Sequence, residues 1–280
     1  MIIFKKVSDI NAWLLKIKQA GKKIGFVPTM GALHQGHISL INTSKKAGSV
    51  SVSSIFINPA QFNDAKDFEN YPTTIEKDID VLEKAGCNVL FLPSVAEMYP
   101  AGTANTKHYD LGYLETVLEG KYRPGHFQGV CLVVHRLLSI IPADELYLGQ
   151  KDYQQCMVIK KLVELENIQT TIHICPTLRE KSGLAMSSRN MRLTDDEKTH
   201  ALKIFETLSY LKNNIKAGDL TQLKQNAINN LTNAGFKVDY VEIADADNLE
   251  IIIDWDGKTK LVAVAAAFLG DVRLIDNILL

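Results

Sequence analysis

Residues 28–37, Pro28-Thr29-Met30-Gly31-Ala32-Leu33-His34-Gln35-Gly36-His37, follow an apolar run at 24–27 and lead into an amphipathic segment at 38–47. This order reads as strand, tight turn and helix, the opening of a β-α-β unit whose next strand must lie parallel to the first. Two histidines, three positions apart, stand where the helix begins. A helix start points backbone N–H groups and about half a positive charge at whatever lies above it. Gly36 removes a Cβ where a ligand must approach the backbone, and His34 and His37 add donors that become cationic near neutral pH. The junction suits a polyphosphate. The alternative is an ordinary βα turn with a chance histidine pair. Zinc is disfavoured, because no nearby Cys or His cluster completes a tetrahedral set, and no protein metal ligand is assigned.

Strand-like and helix-like segments alternate through the first two-thirds of the chain. Strands are expected at 23–28, 49–57, 88–92, 145–148 and 170–175, with helices from about 36, at 73–85, 129–141 and 152–166. Such alternation implies α/β architecture with a parallel sheet, in which ligands gather beyond the carboxyl ends of the strands. After Pro176 the pattern changes. Long helical runs at 195–215 and 220–234 precede strand-like runs at 238–244, 261–269 and 272–274, which suggests a smaller α+β unit. The expected division is therefore 1–176, a Rossmann-like nucleotide domain, and 177–280, a C-terminal α+β lid domain.

Composition narrows the function. A net charge of −1 gives no electrostatic case for a nucleic-acid or membrane surface. The longest apolar run, 261–269, is too short to span a bilayer. The opening residues 1–6 lack the order of a signal peptide, so the expectation is a cytoplasmic protein. Cys87, Cys131, Cys156 and Cys175 form no C-x-x-C pair and read as buried, reduced thiols.

Four further segments carry chemistry. These are Phe56-Ile57-Asn58-Pro59-Ala60-Gln61-Phe62, the glycine-rich run 120–129, Gly149-Gln150-Lys151-Asp152-Tyr153-Gln154-Gln155, and Met186-Ser187-Ser188-Arg189-Asn190. With the H-x-G-H segment and the C-terminal Arg273-Leu274-Ile275-Asp276-Asn277, they stand in the order that resembles pantothenate synthetases, the pantoate–β-alanine ligases, over nearly the whole chain. The resemblance implies a reaction in two steps. Pantoate and ATP give pantoyl-adenylate and pyrophosphate, and β-alanine then displaces AMP. It also implies Mg²⁺ with ATP, a cytoplasmic homodimer, and a nucleotide domain similar to that of class I aminoacyl-tRNA synthetases.

The resemblance assigns Met30, Gly31, Ala32, Leu33, His34, Gln35, Gly36 and His37 to ATP, together with Gly149, Gln150, Lys151, Asp152, Leu178, Met186, Ser187, Ser188 and Arg189. His34, His37 and Lys151 would be catalytic, with His37 as proton donor to the departing pyrophosphate. Gln61 and Gln155 suit pantoate, whose hydroxyls and carboxylate need neutral groups that both donate and accept; Asn58 and Met30 would shape the same pocket. Asp152 has two readings, a ribose contact or an acid at a helix start. Arg123 and His126 either touch substrate or brace a loop. The acids at 64–67 and 78–80 either meet Mg²⁺ or are solvated helix residues. His135 reads as a packed residue with a satisfied nitrogen, and Trp13 as part of a core face. Leu178 stands where a valine is usual, and Glu180-Lys181-Ser182-Gly183 replaces a more usual E-A-D-G run. The enzymatic rival is a nucleotidyltransferase with the same turn. A non-enzymatic rival is a catalytically idle ligand sensor. A P-loop ATPase is disfavoured because no G-x-x-x-x-G-K-[ST] occurs.

Overall fold

The computed structural model describes residues 1–61, 71–102 and 107–280. Phe62 and the acids Asp64 and Asp67 lie outside the described residues. The chain divides into two compact units, Met1–Gly149 with Val158–Pro176, and Gln150–Met157 with Thr177–Leu280. Residues 150–157 thus group with the C-terminal unit.

The first unit is built on a six-stranded parallel sheet. Its strands are β1 (Ile2–Phe4), β2 (Ile24–Thr29), β3 (Val50–Ile55), β4 (Val89–Phe91), β5 (Glu145–Gly149) and β6 (Thr171–Cys175), in the order β1-β4-β3-β2-β5-β6. The expected α/β class holds. The order reverses at β2, which pairs with β3 on one side and β5 on the other. A reversal of this kind opens a crevice at the carboxyl ends of the two strands. Thr29 and Gly149 end the two strands that flank it.

Burial explains the strand chemistry. β2 is buried along nearly its whole length, and Phe26 and Val27 are fully inaccessible, as expected of a central parallel strand covered on both faces. The helix α2 (Gln35–Lys46) lies close on this sheet because Gly25 leaves room. A Cβ there would fall 2.2 Å from Ser44 Oγ and 3.0 Å from Tyr147. Ile38, Leu40 and Ile41 of α2 join Val27, Ile55 and Leu90 in one apolar cluster. Several short or weakly buried elements escaped the pattern reading. Among them, β1 is three residues long with Ile2 and Ile3 exposed, and α1 (Val7–Gln19) buries only Ile10 and Leu14.

The second unit carries an antiparallel sheet of β8 (Lys237–Asp245), β10 (Leu261–Leu269) and β11 (Val272–Leu279), in the order β11-β10-β8; the short β7 (Gly218–Asp219) and β9 (Asp254–Trp255) pair separately. Two long helices (Asp195–Asn214 and Thr221–Asn233) pack with it around Ile204, Leu208, Leu211, Leu231, Val241 and Ile243. A capping box starts the first of them. Thr194 Oγ1 accepts from the Glu197 amide at 3.2 Å, and Glu197 Oε2 accepts from the Thr194 amide at 2.8 Å. β11 runs to Leu279, beyond the expected 272–274, because it pairs with β10 along its whole length, burying the polar Asp276 and Asn277 within the strand.

Candidate functional site

The H-x-G-H turn is held from below by one carboxylate. After Thr29 the chain passes through Gly31 at φ +84° and Ala32 at φ +49°, a left-handed pair that a non-glycine residue enters at a cost. Asp78 stabilises it. Its Oδ2 accepts from the Ala32 amide at 2.9 Å and its Oδ1 from the Leu33 amide at 2.8 Å. Thr74 Oγ1 adds a third donor at 3.2 Å. Thr29 Oγ1 accepts from the Gly31 amide at 3.3 Å while donating to the Ser54 carbonyl at 2.7 Å. Asp78 lies on α3 (Ile75–Lys84) and is 1% exposed. The two sequence readings of this acid, Mg²⁺ ligand or solvated helix residue, are therefore corrected: it is a buried clamp on the turn. Asp80 is solvated and pairs with Lys84 at 2.7 Å.

The two imidazoles cap α2. His34 Nδ1 accepts from the Gly36 amide at 3.1 Å, and His37 Nδ1 accepts from the His34 amide at 3.3 Å, with the ring centroids 4.1 Å apart. A nitrogen that accepts carries no proton, so this network assigns the Nε2–H tautomer to both neutral rings. Each ring then carries its proton on Nε2, beside the helix N-terminus. Ala32 and Leu33 contribute main chain alone, since their side chains are buried in the unit's interior; Gln35 is exposed.

Beyond the neighbouring strand β3, Asn58 is fully buried. Its Nδ2 donates to the Gly129 carbonyl at 3.0 Å, its Oδ1 accepts from Tyr99 at 3.2 Å, and its carbonyl accepts from the Gln61 amide at 3.1 Å. His126, left open by the sequence, is buried and bonds the Gln61 carbonyl through Nδ1 at 2.8 Å and Arg123 Nη1 through Nε2 at 3.1 Å. Both residues brace the short turn that carries Gln61. His135 has the satisfied nitrogen expected of it, Nδ1 lying 2.8 Å from the Tyr109 hydroxyl, but it is half-buried rather than packed away, its side chain 31% exposed. A cavity of about 220 Å³ opens beside the turn, walled by Met30, Gly31, Phe56, Thr74, Asp78 and Val95 among others.

In the second unit, Gln150–Asp152 form a single 3-10 turn leading into the helix Tyr153–Leu165. The Lys151 side chain is 16% exposed, with Nζ 3.6 Å from Asp152 Oδ1. Gln155 lies on the first turn of that helix, partly buried, and the neighbouring Tyr153 hydroxyl donates to the Ala246 carbonyl at 2.7 Å. Leu178 is 39% exposed. Met186 closes a small antiparallel turn by donating its amide to the Leu178 carbonyl at 3.0 Å. Ser187 Oγ accepts from the Arg189 amide at 3.3 Å, which leaves its hydroxyl proton for donation. Asn190 is buried and ties this loop to the Ala185 carbonyl at 3.0 Å.

Within the first unit, then, the fold gathers Met30 to His37, Asn58 and Gln61 at the carboxyl edge of adjacent parallel strands. Within the second, Gln150–Asp152 and the 3-10 turn Ser188–Arg192 each lie against the C-terminal strand β11. Asp78 was legible in part: it falls three residues after Ile75 and four before Leu82, so the helical period places it on the apolar face. An acid on a buried stripe needs partners, and the nearby turn supplies them.

A profile of the family described as pantoate-beta-alanine ligase matches residues 2–279. The pantothenate synthetase of Cytophaga hutchinsonii is 45% identical over 283 residues, covering 100% of this chain and 99% of its own. Among solved structures, the pantothenate synthetase of Thermus thermophilus superposes with a TM-score of 0.91 at 34% identity, with 99% of each chain covered. The pantoate-beta-alanine ligase of Francisella tularensis, solved with beta-gamma ATP and beta-alanine, superposes at 0.82 with 40% identity, covering 100% of this chain and 97% of that one.

Proposed function

The chain belongs to the pantoate-beta-alanine ligase family, and on that footing we propose that it condenses pantoate with β-alanine at the expense of ATP, releasing AMP and pyrophosphate. The observation that carries this reading is the pair of capping imidazoles, both committed as Nδ1 acceptors beside a helix N-terminus.

The chemistry asks for charge control rather than a base. A carboxylate with a reference pKa of about 4 is already ionised at neutral pH. Its oxygen attacks the α-phosphorus of ATP, a P–O bond to the β-phosphate breaks, and pyrophosphate departs with the electron pair. The barrier is the approach of one anion to another, which fixed N–H donors and cations lower. We assign that task to the Nε2–H groups of His34 and His37, to the backbone of 30–37 and to Lys151. His37 is the hydrogen-bonding acid toward pyrophosphate. Met186, Ser187, Ser188 and Arg189 grip the same phosphates, Gly149, Gln150 and Asp152 hold the rest of the nucleotide, and Leu178 lies against its base. In the second step the amine of β-alanine attacks the acyl carbon, the bond to AMP breaks, and the amine loses a proton. Gln61 and Gln155 are assigned to pantoate, with Met30 and Asn58 shaping its pocket. A site that hydrogen-bonds the substrate's hydroxyls rejects analogues lacking them by up to about 10⁴.

Mg²⁺ is proposed to arrive with ATP. Such an ion keeps several of its waters and takes phosphate oxygens as ligands. No helix among the described residues is long and apolar enough to cross a membrane. A cytoplasmic homodimer, with the C-terminal unit acting as a lid, remains the reading that the family resemblance supports. A nucleotidyltransferase, which keeps AMP on its product, is not what the family match favours.

Product analysis tests the proposal. With ATP, Mg²⁺, pantoate and β-alanine, AMP and pyrophosphate should appear in equal amounts together with pantothenate. ADP as the product, or pantothenate formed without β-alanine, would overturn it.

A further inference from the structure

The C-terminal strand carries two buried polar residues with no part in the chemistry above. Asn277 is 2% exposed and Asp276 is 6% exposed. They sit in β11 opposite Val264 and Ala265 of β10, where apolar residues would be the simpler filling. Such a pair is costly to bury unless every polar atom is matched.

Asn277 spends its side chain on one target. Both protons of Nδ2 are used, one on the Gln150 carbonyl at 2.9 Å and one on the Lys151 carbonyl at 2.8 Å, while Oδ1 accepts from Gln150 Nε2 at 3.1 Å. No other side chain of this size supplies two donors and an acceptor in one plane. The backbone of Asn277 is fixed in turn. Its amide donates to Asp276 Oδ1 at 2.8 Å, and its carbonyl accepts from Arg179 Nη2 at 3.2 Å. Arg179 and Asp276 form a two-pronged ion pair at 2.6 and 3.0 Å. The guanidinium carbon of Arg179 lies 4.1 Å from the centre of the Phe205 ring, and its Nη1 also donates to the Gly183 carbonyl at 3.2 Å.

We propose that Asn277 is a positioning residue for Lys151: it fixes the main chain of the 150–151 turn so that the lysine meets the phosphates of ATP. This deepens the function proposed above and rests on the assignment of Lys151 to phosphate. The Arg179–Asp276 pair holds Asn277 in place and joins it to the turn preceding Met186. A lysine is a point charge on a flexible stem, so its root must be fixed if its charge is to be aimed. Misplacing a group by about 1 Å can cost about 10²-fold in rate.

The test is a double-mutant cycle read by pantoate-dependent exchange of pyrophosphate into ATP. Asn277→Asp keeps the shape but loses both donors, and should lower kcat about 10- to 100-fold. It should also raise KM for ATP while KM for pantoate stays within about 2-fold. Asn277→Ser, which retains one donor, should fall between, and it carries the test if the aspartate variant does not fold. The decisive readout is coupling. In a Lys151→Ala background, the Asn277 substitution should cost less than about 2-fold further, since residues acting as a unit are not additive. Independent, multiplicative losses, or an Asn277 variant with wild-type kinetics beside an impaired Lys151→Ala enzyme, would overturn the positioning role alone. An unimpaired Lys151→Ala enzyme would overturn the phosphate assignment, and the proposal with it.

Discussion

Asp78 accepts a hydrogen bond from the Leu33 amide at 2.8 Å, which joins a helix behind the sheet to the turn that presents both imidazoles. The same carboxylate takes the Ala32 amide at 2.9 Å. The turn is left-handed at Gly31 and Ala32, so its backbone conformation depends on a partner outside the turn.

Replacing this carboxylate should damage both stability and rate. In Asp78→Asn the amide nitrogen faces a backbone N–H, and one buried donor loses its acceptor. We expect a loss of about 1–3 kcal/mol in unfolding free energy, read by urea titration. Adenylation should slow as well, because the capping histidines follow the turn. Unchanged stability with unchanged exchange would remove Asp78 from this role.

Truncating either imidazole should act mainly on kcat. By analogy with loss of an oxyanion-hole donor, His34→Ala and His37→Ala should each lower the adenylation rate by about 10²–10³. Single-turnover measurement of pyrophosphate formation from ATP and pantoate is the appropriate check. A change confined to KM for β-alanine would contradict the phosphate assignment.

Gln155→Ala should separate the two first-step substrates. Pantoate binding should weaken far more than ATP binding, because the amide is assigned to the acid. Isothermal titration with each ligand distinguishes this from equal weakening, which would move the residue out of the acid pocket.

Acid sensitivity has an identifiable contributor at the amino end of β5. Burial pushes the Glu145 carboxyl up, but hydrogen bonds from Ser49 and Tyr147, each at 2.6 Å, together with His173 and Lys23, hold it below its ordinary value. A depressed carboxylate contributes stability above its unfolded pKa of about 4.3, and this is lost as pH falls through the folded value. The melting temperature should therefore drop below about pH 4.3, and Glu145→Gln should flatten that limb. Parallel acid limbs for the two proteins would contradict the contribution.

Sequence reading succeeded where one short stretch carried the whole signal and failed where partners were distant. The start of α2 was legible because an apolar strand, a glycine turn and a cap adjoin within residues 24–38. The thiols read as buried, and Cys87, Cys131, Cys156 and Cys175 are all buried, with no disulfide among the described residues. Burial, followed by the charges of Glu115 and Glu166, pushes the Cys131 thiol up to about 12. The expected strand at 272–274 stopped short because Asp276 and Asn277 look like a turn. Their partners, Arg179, Gln150 and Lys151, lie about a hundred residues or more away and give no local periodicity. The grouping of residues 150–157 with the C-terminal unit was hidden for the same reason, since a strand followed by a helix looks alike in either unit. His126 remained open between substrate and loop because its partner carbonyl, Gln61, is fixed only in three dimensions.

The most direct measurement follows the oxygen. Pantoate labelled with oxygen-18 in its carboxylate should deliver one labelled atom to the phosphate of AMP during turnover, since the acyl-adenylate is cleaved at its carbon. Label absent from AMP while pantothenate accumulates would contradict attack of the acid on ATP, and with it the cationic site built around His34, His37 and Lys151.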